Sequence, residues 1–178
     1  PMKTRKSALF VLLVSFLSFY QIGFAQTYNE EETVEEQVVE GNNLNATYLA
    51  SLGIGAATDQ RNLSVQGNSV FLTQIGEANQ LSVRTSTNAS EINVTQDGNF
   101  NSASMTYVAN TVVANLTQNG DSNTFTDFIN NRSQDVSLDL VQDGNNLSFQ
   151  REGANNLTKS IKFRQSEGTP NLIIRSIN

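Results

Sequence analysis

From residue 70 onward, apolar and polar side chains alternate in short runs that end on a glutamine. The runs are Val70-x-Leu72-x-Gln74, Ile92-x-Val94-x-Gln96, Ala114-x-Leu116-x-Gln118, Leu138-x-Leu140-x-Gln142 and Ile161-x-Phe163-x-Gln165. A period of two predicts a strand with one buried face. Each Gln falls on that face, in phase with the apolar residues. A glycine follows closely (Gly76, Gly98, Gly120, Gly144 and, one position later, Gly168), marking a tight turn where positive φ is expected. A second alternating run then starts at an asparagine: Asn79-x-Leu81-x-Val83, Asn101-x-Ala103-x-Met105, Asn123-x-Phe125. Polar stretches such as 85–90 and 130–135 return the chain to the next copy. Each unit therefore reads as strand, turn, strand, turn.

The units form an internal repeat. Gln-x-Gly-x-x-Asn occurs intact three times, as Gln74-Gly76-Asn79, Gln96-Gly98-Asn101 and Gln118-Gly120-Asn123, with the glutamines 22 residues apart. Two looser copies follow: Gln142-Gly144 with Asn146 one position early, and Gln165-Gly168 with Asn171 late. Ordering one such unit costs more conformational entropy than its few inward side chains can offset. Neighbouring units must share backbone ladders and a continuous core, which predicts an all-β fold, a β-solenoid of parallel stacked coils. Five such coils would stand only about 25 Å tall.

Stacking also accounts for the amides. Equivalent residues of paired parallel strands lie about 4.8 Å apart. A lone buried carboxamide is costly, but a column of them bonds to its own copies above and below. Gln74, Gln96, Gln118, Gln142 and Gln165 are expected to form one amide ladder. Asn79, Asn101 and Asn123 are expected to form a second, with Asn146 and Asn171 joining if the turns adjust.

Composition narrows the chemistry. The chain has 23 Asn but no Cys, His or Trp. Thiol nucleophiles, imidazole bases, disulfides and the commonest zinc ligands are excluded together. The turn acids Glu77, Asp97, Asp121 and Asp143 lack the Gly-Gly-x-Gly-x-Asp run of a calcium β-roll. They read as gatekeeper charges beside aggregation-prone strands, and they do not form the paired acid and nucleophile of a glycosidase. No enzyme activity, cofactor, metal or small-molecule substrate is expected. No basic stripe interleaved with aromatics points to nucleic acid. The Asn-x-Ser/Thr sequons at Asn62, Asn88, Asn115 and Asn156 are ordinary in so Asn-rich a chain.

Upstream of the repeats, Lys3, Arg5 and Lys6 precede an apolar run from about Ala8 to Tyr20 and a Gly23-Phe24-Ala25 site. Residues 1–25 read as a cleaved secretory signal, too short for a membrane span. Without it the formal charge falls from −6 to −9. Residues 26–40 form an acidic leader, with six Glu between 30 and 40, whereas 151–178 carry five Lys/Arg against two Glu. Residues 41–69 are read as irregular capping coils over the N-terminal end. Gly41-Asn42-Asn43-Leu44 echoes later turns, and Asn62-Leu63-Ser64-Val65 echoes a second strand.

The repeat resembles the curlin-associated repeat of bacterial curli fibre subunits, whose pattern is roughly Ser-x5-Gln-x-Gly-x-x-Asn-x5-Gln. The Gln-x-Gly-x-x-Asn centre matches over about residues 70–175. Ser90 holds the Ser position, whereas Asn68, Val112 and Val136 replace it in other copies. Thr85, Tyr107 and Ile129 stand where the family places a second Gln. The chain thus looks like a divergent or minor, nucleator-like curlin. The resemblance implies a cross-β amyloid fibre at the bacterial cell surface, with roles in biofilm matrix and adhesion. It implies as partners further copies, other curlin-type subunits and a curli-type outer-membrane export machinery. The competing expectation is a monomeric secreted β-helix adhesin that recognises a carbohydrate or a host surface.

Overall fold

The structure, a computed structural model, describes residues 46–169 and 171–176. The expected signal (1–25), the acidic leader (26–40) and the Gly41-Asn42-Asn43-Leu44 echo lie outside the described residues. The elements run α1 (Ala46–Ser51), β1 (Ile54–Gly55), α2 (Gln60–Ser64), β2 (Asn68–Ile75), β3 (Gln80–Ser86), β4 (Ala89–Asp97), β5 (Ser102–Asn119), β6 (Thr124–Asp143), β7 (Ser148–Glu152), β8 (Ser160–Ser166) and β9 (Leu172–Arg175).

The strands stack in parallel and in register as a β-solenoid of five coils. One ladder runs β2–β4–β5–β6–β8 and aligns Val70, Ile92, Ala114, Leu138 and Ile161 in a column. The other runs β3–β5–β6–β7–β9 and aligns Leu81, Ala103, Phe125, Phe149 and Leu172. Side chains of alternate parity from both ladders meet in a single core, in which Ile92, Met105, Ala114, Ile129 and Leu138 have no exposed surface. Within it the rings of Phe125 and Phe149, one coil apart, stack at 5.6 Å. The Gln is buried because it shares the parity of these residues.

The corner that joins successive coils differs from the expected polar loop. β5 and β6, of 18 and 20 residues, run straight through it, each serving as the second strand of one coil and the first of the next. Polar side chains brace the bend in a staircase. The Asn88 amide donates to Asn110 Oδ1 and the Asn110 amide to Asp135 Oδ1, both at 2.8 Å. Ala109 pairs with Asn131 but Thr111 with Asp135, so the longer spacing between Gln118 and Gln142 is absorbed at this corner and not at the glycine turn.

Among the described residues, the segment 46–67 forms no coil over the N-terminal end. Its strand β1 pairs antiparallel with β8, at the opposite end of the solenoid, with Ile54 facing Ile161. Asn62-Leu63-Ser64, expected as a strand, lies in α2, because the Asp59 carboxylate caps that helix by accepting the Arg61 N–H at 2.9 Å.

Candidate functional site

The polar interior of the coils is where this chain departs most from an ordinary apolar core. Four of the five column glutamines, Gln96, Gln118, Gln142 and Gln165, are fully buried. Each Nε2 donates to the Oε1 of the next coil's Gln: Gln74 to Gln96 at 2.6 Å, Gln96 to Gln118 at 2.7 Å, Gln118 to Gln142 at 2.8 Å, Gln142 to Gln165 at 2.9 Å. The second N–H of the buried members reaches back to a second-strand carbonyl of the preceding coil, for example Gln142 to Thr124 O at 3.1 Å. Each interior Gln thereby ties three coils together.

The asparagines work differently from the expected amide-to-amide ladder. Asn79, Asn101 and Asn123 each accept, at 3.0 Å, the backbone N–H of the residue stacked on them, namely Asn101, Asn123 and Leu147. Their amides donate to the turn carbonyls of Gly98, Gly120 and Gly144. At these turn positions the side chain spends both of its groups on the next coil's backbone, whereas Asn88 and Asn93 on other faces do bond to their copies. Asn146 and Asn171 stand outside this column. Asn146 takes the left-handed turn position (φ 56°) that Ala78, Phe100 and Ser122 occupy elsewhere, a conformation Asn tolerates well. Leu147 fills the column place and is buried. Leu172 pairs with Phe149, so Asn171 falls at the register of Ser148, with its side chain exposed.

The glycine turns are crowded for the same reason that the coils are close. Gly98 has φ 125°, and a Cβ there would lie 2.1 Å from Gly120 O. Gly76, Gly120 and Gly144 make the same turn, while Gly168, in the last coil, has open space around it. Of the turn acids, Asp121 Oδ1 accepts the Asn99 N–H at 2.7 Å, and Asp143 pairs with Arg164. Among the described residues, no three acids gather into a group that could hold a metal ion.

A buried charged cluster escaped the sequence reading. Asp127 and Arg151 are stacked residues of the Val83–Met105–Asp127–Arg151–Ile174 column. Arg151 donates from Nε to Asp127 Oδ1 at 2.7 Å and from Nη2 to Oδ2 at 2.5 Å, and the Tyr107 hydroxyl donates to Oδ2 at 2.5 Å. Arg151 has no exposed surface, and Asp127 and Tyr107 have almost none. Burial opposes the Arg151 charge, but the Asp127 carboxylate outweighs it and raises the guanidinium pKa. Burial, and then the neighbouring carboxylate, push the Tyr107 hydroxyl well above its usual range. The signal was available: Asp127 follows Phe125, and Arg151 follows Phe149, at inward parity. Sealed from solvent, the cluster acts on the fold and has no access to a substrate.

The two ends of the stack complete the site. Among the described residues, nothing pairs with the outer edge of β2 or β3. Val70, Phe71, Leu72 and Ile75 are each about half exposed or more. No helix among the described residues is long and apolar enough to cross a membrane. No family model matches the chain, and no curated protein or solved structure matches it either.

Proposed function

We propose that this chain is a secreted structural subunit that stacks end to end into a parallel cross-β fibre. One observation carries the reading: the β2/β3 end, unpaired among the described residues, presents the pattern that every internal coil boundary uses. Val70, Leu72 and Gln74 on one ladder, with Leu81 and Val83 on the other, repeat the places of Ile92, Val94, Gln96, Ala103 and Met105. Gln74 uses its amide on Gln96, and its own Oε1 is positioned to accept a Gln from a further coil. An open parallel edge is a template for another chain. Taken with the resemblance of the repeat, the fibre is of the curli type, extracellular on a bacterial surface, contributing to biofilm matrix and adhesion. The chain acts there as a minor or nucleating subunit, partnered by further copies, other curlin-type subunits and a curli-type export machinery. The assembly itself is the function, and no catalytic step is proposed.

The second reading is a monomeric β-helix adhesin, and the strand β1 lying along β8 favours it, because a covered edge stops a stack. Thioflavin fluorescence and fibre diffraction of the purified chain separate the two. Dye binding with a meridional spacing of about 4.8 Å supports the fibre. A persistently monomeric, dye-negative protein overturns it.

A further inference from the structure

The two ends of the solenoid are unlike. At one end, no described residue pairs with the outer edge of β2. At the other, residues 53–55 lie along β8: the Gly53 carbonyl accepts the Lys162 N–H at 2.7 Å, and Ile54 and Gly55 face Ile161 and Ser160. Leu49 and Ile54 are buried there and join the core. A latch fixes this segment to the outside of the coils. Arg61 bonds both oxygens of Asp139, at 3.0 and 2.6 Å, and Asp59 braces it from behind at 2.7 Å. The Asn62 amide donates to Val136 O at 3.0 Å and to Thr111 Oγ1 at 2.9 Å.

A second copy adding its β2 to β8 in the solenoid's own register needs the same groups. Its Val70 would stack on Ile161, its Leu72 on Phe163 and its Gln74 on Gln165. The Lys162 N–H and the Ile161 side chain are the first groups it must reach, and the segment holds both. Cap and second copy therefore exclude one another. The exchange favours the copy: β1 supplies two residue pairs to β8, whereas β6 supplies seven. We infer that residues 46–65 are a displaceable cap that blocks one end of the subunit, and that an incoming copy's β2 strips it off. This rests on the end-to-end stacking proposed above and adds a direction to it. No described residue blocks the β2 end, whereas extension at the β8 end waits for the cap to open.

Gly53 offers a clean handle. Its φ is +74°, and a Cβ there would sit 1.8 Å from Lys162 O, backbone that cannot move aside. Gly53→Ala should eject the cap without changing any residue of the five coils. Arg61→Gln is a second, gentler variant that releases only the latch. The test measures amide hydrogen exchange at Lys162 and seeded elongation by thioflavin fluorescence on the purified chain. Circular dichroism checks the coils. Both variants should speed Lys162 exchange by about tenfold or more and accelerate elongation in step. Faster exchange with unchanged or slower elongation, while the wild type elongates, overturns the cap and leaves the fibre reading standing. Unchanged Lys162 exchange in both variants overturns the cap as well. If wild type and variants all stay monomeric, the stacking itself falls, and the cap with it.

Discussion

Arg151 lies one coil beyond Asp127 in the same interior column and holds its carboxylate with two hydrogen bonds, of 2.7 and 2.5 Å. The contact has a consequence for folding. Coils with so similar a pattern are prone to slip by one repeat, because register is set by patterns the copies share. A slip by one coil would set Arg151 against Met105 or Asp127 against an aliphatic residue, leaving a charge buried and alone. Asp127→Asn and Arg151→Met, made singly, should each lower stability by about 3–5 kcal/mol, whereas the double change Asp127→Leu/Arg151→Met should recover most of it. Equilibrium denaturation of the four proteins checks this. A double variant as unstable as the worse single would refute the pairing.

Tyr107 should give the fold an alkaline limit. Its folded pKa lies above the ordinary value of 10.0. Above pH 10 the unfolded chain releases this proton while the folded chain keeps it, so stability falls as pH rises through that range. Tyr107→Phe should cost about 1 kcal/mol at neutral pH by removing one hydrogen bond to Asp127. It should also flatten the alkaline slope in thermal melts taken from pH 9 to 11.5 (roughly the window in which a tyrosine titrates).

The glutamine column should be sensitive in the middle and tolerant at its end. Gln118→Leu orphans a donor on Gln96 and the acceptor on Gln142, both buried, and should cost about 3 kcal/mol. Gln74→Leu withdraws only one donor, from Gln96 Oε1 next to the exposed end, and should cost about 1 kcal/mol. Equal losses at the two sites, measured by denaturant unfolding, would mean that the ladder is not what holds these residues in the core.

Turn glycines should divide in the same way. Gly98→Ala combines left-handed strain with a clash against Gly120 O and should cost about 3 kcal/mol or more. Gly168→Ala meets open space and should cost only the strain, about 1 kcal/mol. Thermal midpoints of the two variants provide the comparison.

The latch on the cap should weaken only in acid. The hydrogen bond from Arg61, followed by its charge, holds the Asp59 carboxyl below its usual 3.8. A depressed carboxyl contributes its stability above the unfolded value and loses it as pH falls through the lower, folded one. Lys162 exchange, corrected for its intrinsic pH dependence, should therefore stay constant down to about pH 4 and quicken below it. Quickening already between pH 6 and 7 would point to some other group.

The repeating part of the fold was legible because its information is local. Alternation placed Leu72 and Gln74 on one face, and the Gln-to-Gln spacing brought Gln74, Gln96 and Gln118 into one column. The asparagines were read less well, since spacing cannot tell whether a side chain reaches its copy or the backbone beside it. In the fourth copy the demand of the left-handed turn position outweighed the column and drew Asn146 out of it. The Asp127–Arg151 pair was written in the parity of the second strands. It went unread because a charge at an inward position is ordinarily taken as solvated.

What the sequence determined by itself is the coil: a period of two sets the faces of each strand, a turn glycine closes it, and amides at fixed offsets require copies above and below. Only the tertiary structure decided how the stack ends. Whether Ile54 meets β2 or β8 depends on which edge leaves backbone groups and apolar surface within reach of a segment joined to the far end of the solenoid. That is a matter of three-dimensional distance and of the close approach Gly53 permits, and no periodicity along the chain encodes it.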